Sequence, residues 1–162
     1  KQLTTAVEGA AKQLVSARHT EGMNLKADLL DKLELLTEEV KYIEAVSPEI
    51  VNLYQNKLQE KLENLLNDAG VEQSRILTEV TIFADKICVD EEIVRLKSHI
   101  ASVKDVLEEE DSIGRKLDFI VQEMNREANT ILSKANNIDI SNHGINIKTE
   151  IEKIREQIQN IE

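Results

Sequence analysis

The sequence predicts an all-α protein with a long antiparallel helical hairpin followed by a helical bundle of about four helices. Apolar residues recur at intervals of three and four through most of the 162 residues, which is the spacing of one helix face. One proline and five glycines leave few positions that could break a helix. Aromatic residues make up 2% of the chain, so the core must be built from Leu, Ile, Val and Ala, as in helical bundles.

The hairpin is predicted over residues 1–70. A narrow apolar stripe runs from Leu3 to Ile43, as in a coiled-coil arm. Ser47-Pro48-Glu49 is typical of a helix start, with Ser as the N-cap and Pro in the first turn. A second helix is expected to run from there to about Asn67, where Asp68-Ala69-Gly70 would end it. This arm is expected to serve self-association or contact with a partner.

Residues 71–162 are predicted to form a helical domain. Its first two helices are expected over Val71–Lys86 and from Glu91 to about Glu109. A last helix is expected from about Ile145, after a turn at residues 141–144. Its seam consists entirely of isoleucines, which suits a multi-helix bundle or an oligomer: Ile147, Ile151, Ile154, Ile158 and Ile161.

The helix predicted over Gly114–Asn136 is central to the interpretation. One side is apolar and is expected to be buried: Ile113, Leu117, Ile120, Met124, Ala128, Ile131 and Ala135, flanked by Val121 and Leu132. The opposite side is polar but poor in Glu and Lys: Arg115, Asp118, Gln122, Arg126, Asn129 and Ser133, with Asn125 just outside it. Asn and Ser weaken a helix, so this side needs a reason. It suits either a polar contact between helices or the recognition of phosphates and base edges.

Charge separates the same helix from the rest of the chain. The chain carries 20 basic and 31 acidic residues, a net charge of −11, which argues against non-specific binding to nucleic acid. Residues 71–112 carry 5 basic and 11 acidic groups, whereas residues 113–136 carry 4 and 3. The central helix is therefore the segment with a positive balance.

Other classes of protein are disfavoured by the sequence. No apolar run reaches the roughly 18–20 residues of a membrane span, and no signal-peptide pattern is present. A single cysteine, Cys88, excludes an internal disulfide framework and suits a reducing cytoplasm. We expect Cys88 to be a small, partly buried thiol and not a nucleophile. Because the first residue is Lys, we expect the chain to be part of a longer product.

No phosphate-binding loop, paired-cysteine zinc pattern or nucleophile elbow is present. The best candidate constellation combines carboxylates and one imidazole from three helices, a set that could hold Mg²⁺ or Mn²⁺: Glu79, Asp85, Glu91, Glu92, His99, Asp118, Glu123 and Glu127. The alternative is that these groups are ordinary solvated charges and that His99 is a packing or surface residue. Arg95, Arg115 and Arg126 suit phosphate clamps or structural ion pairs equally well.

Several motifs together resemble one family. They are ADK at residues 84–86, DEEIVRLKSH at 90–99, GRKLDF at 114–119, QEMNREANT at 122–130, SKA at 133–135 and EKIREQIQNIE at 152–162. This set closely resembles the YicC/YloC family of bacterial proteins over about residues 71–162. Arg18, Glu21-Gly22 and Leu25 resemble a further motif of that family, so the hairpin belongs to the same protein. The family's N-terminal α/β half is absent from the chain.

The resemblance implies a cytoplasmic endoribonuclease that depends on a divalent cation, Mn²⁺ or Mg²⁺, and cuts single-stranded RNA as a ring-like hexamer. Neither a membrane nor DNA is an expected partner. The arm over residues 1–70 would then serve oligomerisation or line an RNA channel. Whether the chain cleaves RNA without the absent half is left open. The alternative is a non-catalytic helical oligomerisation or adaptor module for RNA-regulatory partners.

Roles for individual residues follow as expectations from the matching motif positions. The expected catalytic groups are His99, Glu123, Glu127 and Asp118. The expected metal ligands are Glu92, His99, Asp118, Glu123 and Glu127. The expected contacts to RNA and its phosphates are Arg95, Arg115, Gln122, Asn125, Arg126, Asn129 and Lys134. Cys88 stands where relatives often have Asp, so that position is not an obligatory carboxylate ligand.

Overall fold

The computed structural model describes residues 2–65, 73–109, 112–159 and 161, and within these ranges the chain forms five α-helices and no strand. The helices are α1 (Gln2–Leu65), α2 (Gln73–Ile87), α3 (Asp90–Val106), α4 (Gly114–Lys134) and α5 (Ile138–Ile158). The predicted all-α class is confirmed.

Four of the helices close into an antiparallel bundle. Within the described ranges, α1 packs against α3 and α5, and α4 packs against the same two helices. Contacts between side chains show that neighbouring helices run in opposite directions, because residues near the end of one helix meet residues near the start of the other. These pairs are Lys97 with Glu44 and Lys26 with Glu108 for α1 and α3, and Arg95 with Glu127 and Lys134 with Glu92 for α3 and α4. Lys148 with Asn129 and Arg155 with Asp118 show the same for α4 and α5. Each helix therefore runs opposite to both of its neighbours, as in an up-down bundle.

The core follows the predicted stripes. On α4 the fully buried residues are Leu117, Val121, Met124, Ala128 and Ile131. Ile113, Ile120 and Ala135 are partly buried against them. The isoleucine seam of α5 is buried from Ile147 to Ile158. The prediction for the interior of the bundle is thus confirmed.

The predicted hairpin break at Ser47-Pro48 is wrong, because α1 continues through it as one helix of 64 residues. Ser47 does not cap a new helix, since its Oγ donates to the backbone oxygen of Ile43 at 2.7 Å. An internal proline costs a helix about 3 kcal/mol. Buried residues on both sides of it offset that cost, since Ile43 and Ile50 belong to one continuous core.

The antiparallel partner of the end of α1 is α2. The rings of Tyr54 and Phe83 stack with centroids 3.6 Å apart. Ile50 and Ile87 line the same small cavity, so increasing numbers on α1 meet decreasing numbers on α2. A helical pair therefore exists, but its first member is the end of α1. The predicted helix end at residues 67–70 lies outside the described residues.

The last helix begins earlier than predicted. The side chain of Asn137 accepts a hydrogen bond from the Asp139 backbone at 2.7 Å, and α5 starts at Ile138. Residues 141–144 are helical, so the predicted turn is wrong. Gly144 lies against α4, where an added Cβ would come within 2.8 Å of Leu132. The glycine permits this close approach of α4 and α5 and does not mark a turn.

The first part of α1 leaves the bundle. Residues 2–24 are all exposed, including the apolar side chains of Leu3, Val7, Leu14 and Val15. Residues from Leu29 onwards supply the buried stripe of the bundle. One helix thus serves as both arm and bundle member. Among the helices of the described residues, none combines the length and apolar character that crossing a membrane would require.

Candidate functional site

The polar residues of α4 fall into three groups with different surroundings. Glu127 and Lys134 face α3, and we call this side the α3 flank. Asp118 and Asn129 face α5, and we call this side the α5 flank. The solvent-facing ridge between them, the outer crest, consists of Arg115, Phe119, Gln122, Arg126 and Ser133, which are all exposed.

The α3 flank contains a buried carboxylate. The side chain of Glu92 is only 5% exposed, and its Oε1 accepts a hydrogen bond from Lys134 Nζ at 2.8 Å. The same ammonium donates to the backbone oxygen of Cys88 at 2.9 Å. Glu92 Oε2 is buried and has no hydrogen-bond partner among the described residues. Lys134, expected to contact RNA, therefore neutralises a buried acid and ties α4 to the start of α3.

Arg95 links the remaining carboxylates of this flank. Its Nε lies 3.1 Å from Glu127, one terminal nitrogen lies 2.6 Å from Glu91, and the other lies 3.8 Å from Glu92. Two opposing effects act on the pKa of Arg95. Partial burial lowers it, whereas the hydrogen bond to Glu127 and the negative charges of Glu127, Glu91 and Glu92 together raise it by more, so the pKa is raised overall. The α3 flank is thus a closed network in which cations lie between the acids.

The α5 flank is also occupied by contacts within the chain. Asp118 accepts a hydrogen bond from Gln122 at 2.7 Å and lies 3.9 Å from Arg155 Nε, which is too long for a hydrogen bond. That Nε is buried without a hydrogen-bond partner among the described residues. Lys148 donates to Asn129 at 2.9 Å.

Asn125 is half-buried on α4 and has an unpartnered oxygen. Its Oδ1 is buried and accepts no hydrogen bond from the described part of the chain. Asn129, which like Asn125 is expected to contact RNA, accepts its hydrogen bond from Lys148 of α5. A buried polar atom stabilises the packing only when it is paired, which Asn125 Oδ1 and Arg155 Nε are not within the described ranges.

The outer crest is open. The Arg126 side chain is 75% exposed, and its one ion pair in the described ranges is with Glu123, at 3.1 Å. Arg115 has neither an ion pair nor a hydrogen bond within the described part of the chain. The interpretation as a polar contact between helices is thus confirmed for the edges of this side, whereas its middle faces solvent and the recognition of phosphates and base edges there stays a prediction.

The predicted metal constellation is not assembled in one chain. Within residues 2–65, 73–109, 112–159 and 161, no three His, Cys, Asp or Glu side chains are grouped so that they could hold an ion. Glu92 and Glu127 are separated by cations, Glu123 is held by Arg126, and Glu79 and Asp85 are exposed on α2. The residues described here therefore do not fit a divalent cation by themselves.

Two further predicted positions have distinct surroundings. His99 is half-buried on α3 and makes no hydrogen bond or ion pair to any other described residue. Its imidazole is thus held by packing alone. Cys88, predicted to be partly buried, is exposed. The chain turns between α2 and α3 at this point, and its contact with α4 is made by the backbone oxygen.

Sequence reasoning missed three residues of this region. Lys148 and Arg155 project from α5 towards α4, and only the register between the two helices places them there. Phe119 is 66% exposed on the outer crest. Its position could have been found from the sequence, since Phe119 lies four residues after Arg115 and three before Gln122, on the same helix face.

Known proteins provide an independent comparison. Residues 43–162 match the family model described as "Endoribonuclease YicC-like, C-terminal". The chain is 47% identical over 161 residues to the "Probable endoribonuclease YicC" of Clostridioides difficile, an alignment that covers 99% of the chain and 55% of the relative. It is 32% identical over 162 residues to the protein of the same name from Haemophilus influenzae, covering 100% of the chain and 56% of the relative. The chain therefore spans a little over half the length of these relatives.

Proposed function

The chain belongs to the YicC-like endoribonuclease family. We propose that it is the RNA-binding part of an endoribonuclease that hydrolyses phosphodiester bonds in single-stranded RNA. Family membership confirms the resemblance drawn from the sequence motifs, and the names of both relatives describe an endoribonuclease. The observation that supports the place of RNA binding is the outer crest of α4, which presents arginine and amide side chains to solvent.

Electrostatics favours this surface over others. The chain carries a net charge of −11, so phosphate is repelled from most of it. Arg115 and Arg126 offer planar, forked donors that match phosphate oxygens, and Gln122 can donate to and accept from a base edge. RNA would lie along α4, and the ion pairs of the α3 flank would keep that helix in place.

For the chemical step, we assign proton transfer to His99, with Glu123, Glu127 and Asp118 as the candidate carboxylates. Histidine is the side chain that most often transfers protons in general acid–base catalysis. Dependence on Mn²⁺ or Mg²⁺ is part of the proposal, but the described residues of one chain contain no group of side chains that could hold the ion. Any ion would need groups from a second copy or from residues outside the described ranges.

The proposal is tested by cleavage of a labelled single-stranded RNA by the complete protein that carries this chain, with Mn²⁺, Mg²⁺ or EDTA. His99→Gln should reduce the cleavage rate by about 10²-fold or more while RNA affinity is unchanged, since general acid–base catalysis contributes about that much. Glu49→Gln, on the exposed surface of α1, serves as the control. Equal cleavage rates for His99→Gln and the parent would exclude a catalytic role for His99. Undiminished cleavage in EDTA would exclude a requirement for a divalent cation.

The exposed arm favours a second candidate, a helical oligomerisation or adaptor module. Residues 2–24 carry an apolar stripe that the described part of the chain does not cover. Uncovered apolar surface of this kind is typical of an interface between proteins. A homo-oligomer formed through the arm is compatible with the nuclease proposal, and a hexamer is its proposed order.

Sedimentation velocity tests the arm. Val7→Glu/Leu14→Glu adds two charges to the apolar stripe and should convert the oligomer to a monomer, while Thr5→Glu/Ser16→Glu adds the same charge on the opposite side of the helix and should leave it assembled. Retained assembly in both variants would exclude the arm as the interface. Loss of assembly with undiminished RNA cleavage would separate the oligomer from the enzyme.

A further inference from the structure

The few aromatic side chains of this chain have unequal surroundings. The sequence has two Tyr, two Phe and no Trp. Tyr54 stacks on Phe83 between α1 and α2, and Tyr42 stacks on His143 between α1 and α5 with centroids 3.7 Å apart. Phe119 has no ring partner among the described residues and is 66% exposed on α4. Three aromatic rings thus join helices, and the fourth faces solvent.

Exposure alone does not make Phe119 a binding residue, since single exposed apolar side chains are common. Val94 on α3 is 65% exposed and provides the comparison. The cations nearest to it in sequence are already bound to carboxylates, since Arg95 pairs with Glu91 and Glu127 and Lys97 pairs with Glu44. A ring of similar exposure near such groups would be unsuited to RNA.

The surroundings of Phe119 are different. Arg115 is four residues before it, Gln122 three after it and Arg126 seven after it, so all three lie on the same exposed ridge. The carboxylates nearest in sequence are already bound: Asp118 faces α5 and Gln122, and Glu123 pairs with Arg126. An exposed ring between guanidinium groups is the arrangement that binds single-stranded nucleic acid by stacking and phosphate contact.

We infer that Phe119 is a stacking platform for one unpaired base of the RNA, with Arg115 and Arg126 holding the phosphates on either side. This inference rests on the proposed function and adds the residue that distinguishes unpaired from paired RNA at this surface. A base inside a duplex has both faces covered by its neighbours, so it cannot stack on the ring. Because every base has a π-face, the platform gives little sequence preference.

The first test is the affinity of the chain for a fluorescently labelled oligouridylate, measured by anisotropy at one fixed salt concentration. Phe119→Ala should weaken binding about tenfold, the size expected for loss of one stacked base. Phe119→Tyr should bind like the parent because it retains the ring. Val94→Ala, which truncates an equally exposed side chain near acidic residues, should also bind like the parent.

A second variant reports stacking directly. Because the chain has no Trp, Phe119→Trp introduces a single indole whose fluorescence should be quenched by oligouridylate. An abasic ribose-phosphate strand of the same length should bind more weakly and cause no quenching. A similar strand held in a duplex should also leave the fluorescence unchanged.

The outcomes separate the inference from the function on which it rests. If the parent binds oligouridylate but Phe119→Ala binds equally well and Phe119→Trp is not quenched, the platform is wrong and the RNA-binding proposal stands. If the parent does not bind any single strand, both are wrong. If the indole is shielded from solvent in the free protein and becomes exposed on dilution, Phe119 is a contact between copies and the platform is overturned.

Discussion

The α3 flank and the outer crest of α4 use the same residue types for different purposes. Arg95 lies within ion-pair distance of three carboxylates, and Lys134 holds the buried Glu92. On the crest, Arg126 has one carboxylate partner and Arg115 has none within the described ranges. The number of carboxylates around a cation therefore distinguishes a residue that holds the bundle together from one that is free to meet phosphate.

The largest effect expected from this comparison is on stability. Lys134→Met should lower the free energy of unfolding by about 2–3 kcal/mol, because it leaves the buried Glu92 carboxylate with only the distant Arg95 nitrogen as a counter-charge. Glu92→Gln/Lys134→Met, which removes both charges, should recover most of that loss. Urea unfolding followed by circular dichroism measures both values.

Lys41→Met is the matched control for this experiment. Its ion pair with Glu38 is exposed on both sides, so the change should be within about 0.5 kcal/mol. If Lys134→Met unfolds at the same urea concentration as the parent, the α3 flank is not structural. Lys134 would then return to the candidates for phosphate binding.

The bundle could be predicted from the sequence because its helices follow a strong local signal. The apolar stripe of α4 and the isoleucine seam of α5 are buried as their spacing indicates. The break at Ser47-Pro48 could not be judged locally. A proline followed by Glu49 is a strong start signal, yet the apolar stripe on both sides of it packs into one core, and this tertiary burial outweighs the local preference.

The site could be predicted only in part, for a different physical reason. Helix periodicity places Arg115, Gln122 and Arg126 on one ridge without knowledge of any neighbour. The contacts of Arg95 with Glu127 and of Lys134 with Glu92 depend on the register between α3 and α4, which the sequence of one helix does not contain. The sequence therefore predicts a cluster of acidic ligands, whereas cations separate Glu92 and Glu127 among the described residues.

RNA is proposed to contact the outer crest and not the α3 flank. The most direct measurement is the salt dependence of oligouridylate binding for Arg115→Ala/Arg126→Ala, beside Arg95→Ala on α3 as the control from the α3 flank. If each crest arginine contacts a phosphate, the slope of log affinity against log salt concentration should become shallower by about 1.4, since each contact to a single strand contributes about 0.7. Stability should be nearly unchanged, because the one ion pair lost is exposed.

Arg95→Ala should give the opposite pattern. Its removal opens the α3 network, so the free energy of unfolding should fall while the salt slope stays that of the parent. A parental slope in the crest variant together with a shallower slope in Arg95→Ala would exclude the outer crest as the RNA-binding surface. It would place the RNA on the α3 side of the bundle.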